Sequence, residues 1–172
     1  MKIKKIAEII YYARFNREDS DVYDEIFRVS PNLFEIEKSS KFGFADNQGN
    51  VIIEPTFDCN NDGYTLVYDD DFLIVTDSTS KESLFNLKTG QELLKKIYYQ
   101  IDPCSSKEHL FRVRMVEFGK FALYDAKQKK FLTGFSFNTF LDFSNGYAEI
   151  STSKKKGIID NNGNVFFKCG NL

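Results

Sequence analysis

From about residue 33 to residue 168 the chain is written in short apolar runs separated by turn formers. Leu33-Phe34-Glu35-Ile36, Val51-Ile52-Ile53-Glu54-Pro55-Thr56-Phe57, Phe72-Leu73-Ile74-Val75 and Tyr147-Ala148-Glu149-Ile150 have strand length and are rich in β-branched and aromatic residues, which predicts β-strands. In Lys41-Phe42-Gly43-Phe44-Ala45-Asp46 the two rings face one way and the small residues the other. Phe121 and Leu123 alternate with Ala122 and Tyr124 in the same phase, the two-residue period of a pleated strand. The small residue at the second site (Gly43, Ala122, Gly157) predicts that a neighbouring backbone or ring approaches closely there. The first ~30 residues follow a different period. Ile3, Ile6, Ile10 and Ala13 recur at helical spacing, predicting an amphipathic helix over residues 2–15 whose apolar face covers one end of the sheets. Asp19-Ser20-Asp21 suggests the N-cap of a short second helix running through Phe27. The expected organisation is an N-terminal helical cap, residues 1–30, and a β-repeat domain, residues 31–172.

Internal repetition sharpens this reading. Lys41-Phe42-Gly43-Phe44-Ala45-Asp46-Asn47-Gln48-Gly49-Asn50-Val51 matches Lys155-Lys156-Gly157-Ile158-Ile159-Asp160-Asn161-Asn162-Gly163-Asn164-Val165 almost residue for residue. Lys120-Phe121-Ala122-Leu123-Tyr124-Asp125 and, more weakly, Glu82-Ser83-Leu84-Phe85-Asn86-Leu87 fit the same template. The anchors Asp46, Leu87, Asp125 and Asp160 are then 41, 38 and 35 residues apart. An Asp at the first turn position accepts backbone N–H groups and a Gly three residues on takes positive φ without steric cost. Each unit reads as strand, short turn, strand, tight turn, strand.

The run from Lys41 to Asp46, followed by Gly49, Val51-Ile52, Pro55, Phe57-Asp58 and Gly63-Tyr64-Thr65-Leu66, resembles one unit of the bacterial WG-repeat (KWG-repeat) family. Phe143 to Ile150 followed by Lys155 to Asp160 resembles the end of one unit and the core of the next. The tryptophan that names the family is replaced by Phe42, Ser83, Phe121 and Lys156. The resemblance implies a mainly β fold: an array of about four degenerate three-stranded hairpin repeats, as an open stack or with barrel- or propeller-like closure. It also implies an interaction module, and it transfers no catalytic residues.

Composition narrows the functional classes. A pI near 5.5 and a net charge of -2 supply no positive field for nucleic acid. No segment approaches the ~20 apolar residues of a membrane span, and no leader pattern opens the chain. Cys59, Cys104 and Cys169 lack paired spacing and read as reduced thiols of a cytoplasmic protein. Abundant Phe, Tyr, Lys, Asn and Ile without Trp suit an AT-rich bacterial genome.

Candidate chemistry is sparse. Asp58-Cys59-Asn60-Asn61-Asp62-Gly63 with Asp69 has the oxygen spacing of a calcium loop. It lacks flanking helices, and Asn61-Asp62-Gly63-Tyr64 aligns with Ser144-Asn145-Gly146-Tyr147 as a repeat turn, so no metal or other cofactor is expected. His109 is the single histidine, which excludes a two-His metal site or a His-based triad within this chain. Phe131, Phe135, Phe137, Phe140 and Phe143 crowd into a short stretch. Phe135, Phe137 and Phe140 are the candidate partner anchors, because aromatic side chains dominate binding hot spots. Asp69, Asp70 and Asp71 are the candidate steering charges. These features point to a non-enzymatic protein-binding module whose partner is another protein, not nucleic acid or a membrane. The alternative is a small immunity or inhibitor protein that blocks a toxin, phage or host factor.

Overall fold

The structure is a computed structural model and describes residues 23–58, 65–68, 71–76, 79–104 and 109–167. The described residues are all-β and hold sixteen strands. These are β1 (Glu25–Ser30), β2 (Leu33–Lys38), β3 (Lys41–Asp46), β4 (Val51–Asp58), β5 (Thr65–Tyr68), β6 (Phe72–Thr76), β7 (Glu82–Asn86) and β8 (Gln91–Tyr98). They continue with β9 (Gln100–Pro103), β10 (Leu110–Arg114), β11 (Phe121–Asp125), β12 (Lys130–Phe131), β13 (Thr139–Phe140), β14 (Tyr147–Ser151), β15 (Lys156–Asp160) and β16 (Val165–Phe167). Among them, four sheets of four strands follow chain order: β1-β2-β3-β4, β5-β6-β7-β8, β9-β10-β11-β12 and β13-β14-β15-β16. Each therefore carries one strand more than the expected three-stranded unit, added ahead of it as β1, β5, β9 or β13.

The expected amphipathic helix over residues 2–15 lies outside the described residues. The expected second helix is corrected at its end, because Glu25, Ile26 and Phe27 belong to β1 and pair with Glu37, Ile36 and Glu35 of β2. A neighbouring strand that satisfies every second N–H and C=O overrides a local helix-start signal.

One device closes the tight turn in all four sheets. Asp46 Oδ1 accepts the N–H groups of Gln48 and Asn50, and Asp160 Oδ1 those of Asn162 and Asn164. Asp125 Oδ1 accepts Lys127 and Gln128, and in the second sheet Asn86 Oδ1 accepts Lys88 and Thr89. The anchor of that unit is thus Asn86, one residue before the expected Leu87, whose side chain is buried. Burial works against the charged form of Asp46, but donation from Asn50, Gln48 and Gly49 outweighs it and holds the carboxyl below its ordinary range. Bonds from Asn164 first, then Asn162 and Gly163, lower Asp160 in the same way.

The chain divides into two compact units, Met1–Thr79 with Phe85–Gln91, and Ser80–Leu84 with Glu92–Leu172. The core of the first includes Leu33, Phe42, Phe44, Ile53, Phe57, Leu73, Val75, Phe85 and Leu87. The core of the second includes Cys104, Leu110, Leu123, Phe137, Phe140, Ala148, Ile150 and Ile159. Burial pushes the Cys104 thiol up to about 12, so it packs as a small apolar side chain.

Ser83, in β7, is 0% exposed, and its hydroxyl has no hydrogen-bond partner. An unsatisfied buried hydroxyl costs about 1–3 kcal/mol. Ser83→Ala is therefore expected to raise stability by about 1 kcal/mol in urea unfolding; a destabilised variant means that the hydroxyl is bonded in solution.

Candidate interaction surface

The last sheet is two-faced by simple alternation. Ala148 and Ile150 of β14 and Ile159 of β15 are buried, and Phe140 opposite Ile150 joins them in the core. The intervening residues form the outer face. Glu149 pairs with Ile158, and Ile158 pairs with Phe166. The N–H of Leu141, just past β13, donates to the Glu149 carbonyl at 2.9 Å. The row Leu141-Glu149-Ile158-Phe166 thus crosses the sheet, with Tyr147 two residues before Glu149; Leu141, Ile158 and Phe166 in the row and Tyr147 beside it are exposed, as is Glu149. A solvent-facing β surface normally carries polar residues here. Apolar side chains gathered on such a face, here on either side of Glu149, mark an interaction site.

One side of the row is basic. Thr152 shapes the turn from β14 to β15: its N–H donates to the Lys155 carbonyl at 2.8 Å, and its Oγ1 accepts the Lys155 N–H at 3.1 Å. That turn presents Lys154, Lys155 and Lys156, all exposed, with the Lys155 ammonium 5.7 Å from the ring centre of Phe167.

The residues expected from the sequence divide differently. Phe137 and Phe140 are 2% and 4% exposed and meet edge to face at 5.7 Å. They are core residues, which corrects their reading as partner anchors. Phe135, 36% exposed, stacks on Tyr98 at 6.4 Å and touches Phe131 at 5.4 Å, so it is the accessible member of the three. Asp71 forms an ion pair with Lys88 at 2.6 Å, and its carbonyl accepts the Leu87 N–H at 2.8 Å. It ties two strand ends together. Asp69, Asp70 and most of the expected calcium-like loop lie outside the described residues. Leu141, Tyr147, Ile158 and Phe166 were not singled out by sequence reasoning. The available signal was doubling: Ile158-Ile159 and Phe166-Phe167 place apolar residues at consecutive strand positions, so one of each pair must face outward.

Known proteins offer little to extend this geometry. No protein-family model matches the chain, and no curated protein matches it. Among solved structures it is similar to HIRA(644-1017), at 10% identity over 78% of this chain and 45% of that one, with a TM-score of 0.40. BamB from Moraxella catarrhalis gives 10% identity, 80% and 45% coverage and 0.40. The N-terminal domain of Nup159 gives 12% identity, 84% and 42% coverage and 0.42. The chain spans under half the length of each of these three.

A charged cluster lies in the second unit. Arg112 Nε reaches Asp102 at 3.1 Å, and one terminal nitrogen binds both Asp142 and the Phe140 carbonyl at 2.9 Å. Arg114, on the same face two residues on, lies 5.2 Å from the rings of Tyr99 and Phe121. The Glu82 carboxylate accepts the Ile101 N–H, and burial raises its pKa to about 7 despite that bond, with Asp102 adding to the rise and Arg114 opposing it. The cations are neutralised by neighbouring carboxylates or laid on aromatic rings, an arrangement that fastens strands. Among the described residues no group of His, Cys, Asp and Glu side chains could hold a metal ion, and no helix is long and apolar enough to cross a membrane.

Proposed function

We propose that this chain is a cytoplasmic, non-enzymatic protein-binding module of the WG-repeat type, and that its contact surface is the outer face of the last sheet. The carrying observation is the exposed row of Leu141, Ile158 and Phe166 with Tyr147 beside it, on a face where strand alternation calls for polar side chains. The adjoining lysine turn supplies orientation, since charges at the rim of an apolar contact act mainly on encounter rate and register. The repeat assignment is supported by the Asx-closed turns at Asp46, Asn86, Asp125 and Asp160, and the cytoplasmic one by the buried free thiol of Cys104.

A photo-crosslinking amino acid at position 158 or 166, expressed in the source cells, is expected to capture one discrete protein. The same group at exposed Gln128, on the β11–β12 turn, should not. Ile158→Asp and Phe166→Asp are each expected to weaken that partner's binding tenfold or more while leaving the melting temperature within a few degrees. Identical products from positions 128 and 158 would sink the proposal.

A further inference from the structure

The turn between β10 and β11 carries the most exposed large apolar side chain among the described residues. Phe118 is 92% exposed, and Met115 and Val116 beside it are exposed as well. The turn is built rather than loose: the Gly119 N–H donates to the Val116 carbonyl at 2.8 Å, and a side chain at Gly119 would meet Val116 at 2.8 Å. This closure fixes the chain around Glu117 and Phe118. Burying none of this area leaves an unfavourable apolar surface in water.

Behind the apex stands a collar of cations. The Lys81 ammonium donates to the Met115 carbonyl at 3.5 Å and lies 5.6 Å from the Tyr99 ring centre. Arg114 is held between the rings of Tyr99 and Phe121, and exposed Lys120 follows the turn. Glu117 is the acidic residue of the apex itself. Apolar tip first and cations one layer behind is the arrangement that suits a lipid interface. Apolar side chains enter at the headgroup–acyl boundary while Lys and Arg meet anionic headgroups.

We propose that the β10–β11 turn docks this chain peripherally on an anionic lipid surface, with Phe118, Met115 and Val116 entering the interface and Lys81 and Lys120 meeting the headgroups. The contact is weak and reversible, because one short apolar tip and two lysines fall well below what stable anchoring takes.

The chain has no tryptophan, so Phe118→Trp places a single indole reporter at the apex. With vesicles of equal parts phosphatidylcholine and phosphatidylglycerol, its emission is expected to shift to the blue and return on adding salt. Vesicles of phosphatidylcholine alone should leave it unchanged. In the Phe118→Trp background, Lys81→Ala and Lys120→Ala are each expected to weaken vesicle binding about fivefold. In the unlabelled protein, Phe118→Ser is expected to reduce co-sedimentation with anionic vesicles about tenfold or more. Emission that ignores anionic vesicles overturns the proposal, as does emission already blue in buffer, which means that protein covers the apex. Co-sedimentation unaffected by Phe118→Ser overturns it too. Phe118 lies outside both cores, and unchanged far-UV circular dichroism checks that each variant is folded.

Discussion

Gly43→Ala is expected to cost about 3 kcal/mol of folding stability, although it adds a single methyl group. Gly43 sits in the middle of β3, where β4 is bulged. Phe42 pairs with Phe57 and Phe44 with Ile53, so Glu54, Pro55 and Thr56 together oppose one residue. Pro55 has no N–H to give the ladder and is accommodated at such a bulge. The bulged backbone folds over β3, and a Cβ at position 43 would lie 2.3 Å from the Ile53 carbonyl oxygen and 2.6 Å from the Pro55 nitrogen. Both obstacles are backbone, so relief requires the sheet to shift beneath Phe42 and Phe44, which pack in the core of the first unit. The control is Gly134→Ala, where nothing lies within 4 Å of the added carbon and the expected change is under about 1 kcal/mol. Urea unfolding of the two variants measures the difference. Equal midpoints would mean that β4 does not press on Gly43.

Gly157 repeats the relationship in the last sheet, where an added Cβ would stand 2.4 Å from the Phe166 carbonyl oxygen. This close approach was legible in the sequence, because a small residue (Gly43, Ala122, Gly157) recurs at the same repeat position. So were the turn anchors at Asp46, Asp125 and Asp160, since Asx closure is a local interaction within four residues. The second unit was displaced by one residue because Asn86 and Leu87 both fit a degenerate template, and only the turn hydrogen bonds tell them apart. The fourth strand of each sheet was harder to see. β13 has two residues, and β1 is defined by its partner β2 more than by its own composition. Long-range pairing leaves little local trace in a short segment.

The candidate site was legible only in part, for the same reason. The crowd of phenylalanines from Phe131 to Phe143 is continuous in sequence, yet Phe137 and Phe140 enter the core while Phe135 faces outward. Irregular backbone between β12 and β13 sets those directions, and no periodicity encodes it. The outward row on the last sheet depends on register across β14, β15 and β16. Likewise, Glu82, Asp102, Arg112 and Arg114 come from three strands, and nothing in their spacing announces that they meet.

That charged meeting point gives the second large effect, a pH dependence with a definite sign. The Glu82 carboxyl rises from 4.5 to about 7 in the folded protein, chiefly because burial disfavours its charged form, with Asp102 adding to the rise and the Ile101 N–H and Arg114 opposing it. The folded state therefore binds the proton more tightly than the unfolded chain between those two values. The stability this group contributes is fully present below about pH 4.5, and it is lost as pH rises through about 7. A shift of this size is discounted because the carboxyl is partly open to solvent, leaving about 1–2 kcal/mol. Glu82→Gln removes the titration while its amide oxygen can still accept the Ile101 N–H. The variant should match the parent near pH 4 and exceed it by about 1–2 kcal/mol at pH 8. Glu35, also raised by burial and by Glu37, titrates in both proteins, so the difference between the two curves isolates Glu82. Urea midpoints across this range provide the measurement. Parallel curves, or a variant weaker than the parent at pH 8, would show that the Glu82 carboxylate is stabilised in the fold by Arg114 and the Ile101 N–H at least as much as it is penalised by burial.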